Sequence, residues 1–169
     1  MNDVQVAVVL DVTALAAYVA GQVAVGELIA EVADEGRTVG VPAACLAAAY
    51  AATSSEVSAA LLTLLTTTPA VTVLPLGAEP GIDDARQTGV LARAAGGDIA
   101  LGHAARTAIA HQAHLATTAP TPAATVLPAG WSILDLSQGD CKNNGVTPIK
   151  GVAPDDDHDR CGGHCRCAR

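Results

Sequence analysis

Unbroken apolar runs along this chain alternate with stretches in which apolar residues recur every three or four positions. Val4–Leu10 is a nearly continuous apolar, β-branched run, the pattern of a strand buried on both faces. Thr13–Ala20 and Gly26–Glu35 carry helical spacing, and Gly36 stops the second. Val39–Val41 predicts a short strand, after which Pro42 opens a helix over Ala43–Ala52. Ser54 and Ser55 are N-cap candidates for a helix over Glu56–Leu65. Val71–Leu76 alternates as a strand, Asp83–Ala95 is helical up to Gly96–Gly97, and Asp98 caps Ile99–His111. Leu115–Thr117 and Trp131–Leu136 predict two further strands.

Strands separated by helices predict an α/β fold with a central parallel sheet covered on both faces. Sites in such sheets form at the carboxyl ends of strands. Asp11 stands directly after the first strand and Asp98 at the opening of a helix, where the dipole favours a carboxylate. The pattern changes after residue 136. Residues 137–169 have no apolar periodicity, are rich in Gly, Pro and Asn, and hold four of the five cysteines. They predict a flexible tail outside the core, giving a body over 1–136 and a tail over 137–169.

Composition narrows the function. The chain has 169 residues, half of them hydrophobic, and a formal net charge of −8. Its aromatics are Tyr18, Tyr50 and Trp131, too few for base-stacking platforms. Residues 1–136 hold twelve acidic side chains against Arg37, Arg86, Arg93 and Arg106, which argues against nucleic acid as a partner. Val4–Leu10 lacks the basic start and cleavage site of a signal peptide. The uncharged stretch Val57–Ala78 contains Pro69 and Pro75 and reads as a helix followed by a strand, not as a membrane span. A cytoplasmic protein with reduced thiols is expected.

Three stretches carry a family resemblance: VVLDVTALAAYV around Asp11, VPAACLAAAY over residues 41–50, and GGDIALGHAARTAIAHQAHLATTAP over residues 96–120. With the closing ILDL, they make residues 4–136 resemble a PIN domain. The resemblance implies a three-layer α/β/α fold. It also implies a set of acids around magnesium or manganese for RNA hydrolysis, as in ribonuclease toxins of toxin–antitoxin pairs. Hard divalent cations take carboxylate oxygens, activate water and neutralise phosphate charge. Asp11 and Asp98 match two family acids. Ala48 stands where the second motif supplies a Glu, and Ala119 close to where the Thr-rich motif supplies an Asp. The acidic site is therefore degenerate. Without a metal role, Asp11 and Asp98 read as helix N-caps. His111 and His114 share a helical face by spacing; helix ends and surfaces are the ordinary place for such histidines, and for His103. PIN domains often pair, and an Ala-rich helix face would allow a homodimer to pack closely.

The tail carries the least ordinary chemistry. Cys141, Cys161, Cys165 and Cys167 lie with His158 and His164 near an Asp155–Asp157 run. Thiolate and imidazole suit zinc or copper(I), with Cys161, His164, Cys165 and Cys167 the candidate ligands, although paired Cys-x-x-Cys knuckles are absent. The layout also resembles precursors of ribosomally made, post-translationally modified peptides with an enlarged leader. There the leader is recognised by a modifying enzyme and the C-terminal core is modified. Ser137 and Thr147 are remote from the Cys cluster, which argues against dehydration followed by thioether closure.

The sequence therefore points first to a non-enzymatic substrate protein. A degenerate PIN-like domain would act as leader or carrier, and Cys161, Cys165, Cys167 and Cys141 would be modified by a partner enzyme. No cofactor is required by that reading. The alternatives are a magnesium-dependent ribonuclease using Asp11 and Asp98, and a metal-binding tail on an inert domain.

Overall fold

All five residues of β1 (Val6–Leu10) are buried, so both alternating faces of this strand are covered. The computed structural model describes residues 5–77 and 81–138. Val4, Ala78 and the expected tail from residue 139 onward lie outside the described residues. After β1 come α1 (Val12–Val19), α2 (Val23–Asp34), β2 (Thr38–Pro42), α3 (Ala43–Ala52), α4 (Glu56–Thr67) and β3 (Val71–Leu74). Then follow α5 (Gly81–Ala94), α6 (Ile99–His111), β4 (His114–Thr117), α7 (Pro120–Val126) and β5 (Ile133–Asp135), closed by a 3-10 turn over Leu136–Gln138.

The described residues form an α/β fold with one five-stranded sheet of order β3-β2-β1-β4-β5, parallel throughout. Val9 lies opposite Gly40 of β2 on one side and Leu115 of β4 on the other. The core is aliphatic, centred on Leu10, Leu15, Leu62, Leu65 and Leu115, with small Ala100, Ala104, Ala105 and Ala108 on α6 where it crosses the sheet. Connections from β1 step outward through β2 to β3, and the chain then returns to the far side of β1 for β4 and β5. The direction therefore reverses between β1 and β4, and ligand crevices of open parallel sheets form at such a reversal.

Most expected elements are present, with ends shifted by a few residues. The last strand is shorter than Trp131–Leu136 because Trp131 turns aside, its Nε1–H donating to the Ala113 carbonyl at 3.0 Å. Helix α7 was not expected, although Pro120 opens it as an N-terminal proline commonly does. His111 and His114 do not share a helical face: α6 ends at His111, Gln112 takes a left-handed conformation with φ of 52°, and His114 begins β4. Val57–Ala78 resolves, up to its last described residue, into α4 and β3 as expected. No single helix among the described residues is long and apolar enough to cross a membrane.

Candidate functional site

Asp11 leaves β1 in extended conformation and turns the chain into α1. Its Oδ1 accepts from the Ala14 N–H at 2.8 Å and from the Thr13 hydroxyl at 2.8 Å. Because Thr13 gives its only proton to Asp11, Thr117 Oγ1 must be the donor in their 3.0 Å contact. Thr13 Oγ1 also accepts from the Thr118 N–H, and Thr117 Oγ1 accepts from the Ala119 N–H. This chain of bonds ties the end of β1 to the end of β4, across the point where the sheet reverses direction.

Asp98 reaches the same place from α6, where it is the N-cap and its Oδ1 accepts from the Leu101 N–H at 2.9 Å. Asp11 and Asp98 line one cavity of about 130 Å³ together with Val12, Thr13, Leu101, Ala119 and Pro122. The structure thus brings together the two acids singled out in the sequence. It also places Ala119, close to where the sequence resemblance led one to expect an acid, in the same lining. Ala48 instead packs against the core from α3.

Cys45 on α3 lies within electrostatic reach of both acids. It is fully buried, and its Sγ–H donates to the Ala100 carbonyl at 3.2 Å. Burial first, then the charges of Asp11 and Asp98, hold its thiol well above the ordinary range, although a hydrogen bond from the Val12 backbone works the other way.

A second polar group sits where α5 meets α6. Arg106 Nε lies 2.9 Å from Asp84 Oδ1, close enough for an ion pair but without the alignment of a hydrogen bond. Asp84 Oδ2 accepts from the Gly77 N–H at 3.0 Å. His103, expected at a surface or a helix end, is only 1% exposed. Its Nδ1 accepts from the Ala44 N–H at 3.3 Å. Burial lowers its pKa, while the Asp84 charge and the Pro75 carbonyl oppose that shift. It is a neutral strut between α3 and α6, not a ligand in waiting.

As a test of fit for magnesium, the cavity offers two carboxylates, each with one oxygen engaged in capping, and an aliphatic third wall. Among the described residues, no group of three or more His, Cys, Asp or Glu is placed to hold a metal ion. Two carboxylates make a minimal set for a hard cation, which must then fill its shell with water or phosphate. Cys141, Cys161, His164, Cys165 and Cys167 lie outside the described residues. Sequence reasoning found Asp11 and Asp98 but passed over Thr13 and Thr117. Their signal was a hydroxyl just past the end of β1 and another on the last residue of β4, next to loops whose backbone N–H groups needed acceptors. No protein-family model matches the chain, and a comparison with curated proteins finds no match.

Proposed function

We propose that the chain is a non-enzymatic carrier. Its body is a PIN-like domain whose acidic site has lost its hydrolytic set, and its Cys-rich C-terminal segment is the substrate of a modifying enzyme. One observation carries this reading: Ala119 stands on the wall of the very cavity that Asp11 and Asp98 line. A methyl group there leaves two carboxylates to position a cation, a water and a phosphate, with both already tied to backbone N–H groups. The fold at the site is intact while its chemistry is thinned, as expected of a domain kept for recognition. The dense thiols at Cys161, Cys165 and Cys167, with Cys141, are then the reactive cargo.

The test is intact and fragment mass spectrometry of the protein from its native host. The expected result is a mass change confined to residues 137–169, or loss of that segment. An unmodified, full-length tail under all growth conditions overturns the reading. The convergence of Asp11 and Asp98 favours one other reading, a magnesium-dependent ribonuclease in which these two carboxylates hold the ion. That reading requires RNA cleavage that depends on added magnesium and disappears in Asp11→Asn.

A further inference from the structure

The body is acidic, but unevenly. Over residues 81–111 the acids Asp83, Asp84 and Asp98 are balanced by Arg86, Arg93 and Arg106. Every other acid of residues 1–136 faces a single cation, Arg37, and that one is paired with Glu35. The stretch that carries α5 and α6 therefore holds three of the four cations of the body and no net charge. A groove of about 440 Å³ runs along it, lined by Val90, Leu91 and Ile109 together with Arg86, Arg106, Gln87 and one carboxylate, Asp83. Arg86 and Arg93 follow each other two turns apart on α5, with Val90 between them on the same face at 56% exposure. Among the described residues, no carboxylate pairs with Arg86 or Arg93. The groove thus offers aliphatic surface beside the guanidinium of Arg86, with that of Arg93 one turn past Val90 on the same helix face.

The chain contains a segment of complementary make-up. Val152-Ala153-Pro154 is apolar and is followed at once by Asp155, Asp156, Asp157 and Asp159, the densest run of acid in the sequence. We propose that residues 152–159 dock within the same molecule into the α5–α6 groove. The apolar triplet covers Val90, Leu91 and Ile109, and the aspartates pair with Arg86 and Arg93. Reach does not limit this: the residues between Gln138 and Val152 span up to about 45 Å when extended, more than the diameter of a domain this size. Tethering also lifts the effective concentration to the millimolar range, so a few exposed charge pairs and a small apolar contact suffice. The consequence is positional. Cys161, Cys165 and Cys167 begin two residues beyond the docked run, so the body fixes where those thiols are displayed. The docking stands whether or not the thiols are later modified.

The test uses the full chain under reducing conditions and follows tryptic cleavage after Arg160 together with hydrogen exchange of α5. In the wild-type protein the docked run shields Arg160. The pair Arg86→Glu and Arg93→Glu should speed that cleavage about fivefold or more, as a mostly docked population becomes mostly free, and should raise exchange in α5. Asp155→Lys, Asp156→Lys and Asp157→Lys, added to the Arg→Glu pair, should return α5 exchange to the wild-type level by exchanging the charges; hydrogen exchange alone reads this variant, because the new lysines are themselves tryptic sites. Because a charge reversal on α5 could disturb folding, the wild-type protein is also read in about 0.5 M NaCl, where screening acts over a few ångströms. Cleavage there should quicken relative to a free reporter peptide. Equal cleavage rates and equal α5 exchange in all arms overturn the proposal. So does protection that fades on dilution, which would make the occupant the tail of a second copy.

Discussion

Asp11 commits one oxygen to two donors and so holds three things at once: the start of α1, the Thr13 hydroxyl, and through Thr13 the end of β4. Asp11→Ala should lower stability by about 1–2 kcal/mol, the usual range for a lost N-cap, whereas Asp11→Asn should lose far less because the amide oxygen still accepts. Urea unfolding midpoints read the difference. Ala119 offers the complementary experiment. Ala119→Asp would place a third carboxylate on the cavity wall, destabilising the apo protein by like-charge repulsion and creating a cation site. Millimolar magnesium should then raise the Tm of Ala119→Asp while leaving the wild type unmoved, since only a ligand that binds the folded state stabilises it. A wild-type shift as large as the variant's would favour the ribonuclease reading instead. Cys45 yields a third outcome. With Cys141, Cys161, Cys165 and Cys167 replaced by Ser, a thiolate-seeking reagent should label the native protein negligibly at neutral pH and stoichiometrically in denaturant. The cause is that burial and two carboxylates disfavour the Cys45 thiolate.

Helix α6 is the element on which the fold turns, since it brings Asp98 to the site and buries mostly small residues, Ala100, Gly102, Ala104, Ala105 and Ala108, alongside Leu101, His103 and Thr107. Gly102 lets α5 approach closely: a Cβ there would come within 2.7 Å of both the Ala92 nitrogen and the Thr88 carbonyl oxygen. Gly102→Ala should therefore destabilise by about 1–3 kcal/mol, the cost of overpacking. Gly26 in α2 has open space around it, and Gly26→Ala should stabilise by about 0.5–1 kcal/mol through helix propensity and a less free unfolded chain. Thermal unfolding of the two variants side by side checks both signs. The same contrast explains what the sequence made legible. β1, α3, α4 and α6 were readable because each carries its own signal: an apolar run rich in valine, Pro42, Ser55, Asp98. Helix α7 was not, because PTPAATV is short and poor in helix formers, and only burial of Ala123 and Val126 makes it pay as a helix. The convergence of Asp11 with Asp98 was legible only as two separate strand-end and helix-start positions, since the strand order that joins them is not written locally.

At the scale of the molecule, the buried histidine connects packing to pH. His103 is enclosed by α3 through the Ala44 N–H and faces the Pro75 carbonyl after β3 and Asp84 on α5. Burial is the largest influence and lowers its pKa below the ordinary value of 6.5, with the Asp84 charge opposing. In the unfolded chain His103 titrates near 6.5, so as pH falls through that value the unfolded state takes up a proton that the folded state refuses. Stability is fully retained above about 6.5, declines as pH drops below it, and stops declining from this source once the lowered folded pKa is passed. The net charge of −8 works in the opposite direction, because protonating surface carboxylates relieves self-repulsion. That relief belongs mainly to the range near pH 4, where the carboxylates titrate, so the two effects separate along the pH axis. His103→Asn keeps an acceptor for the Ala44 N–H without a titrating group. Denaturant unfolding between pH 7.5 and 5 should therefore show a falling stability for the wild type and a flatter profile for His103→Asn. Coincident slopes would mean that the histidine takes up its proton in the folded state, with Asp84 strong enough to overcome burial.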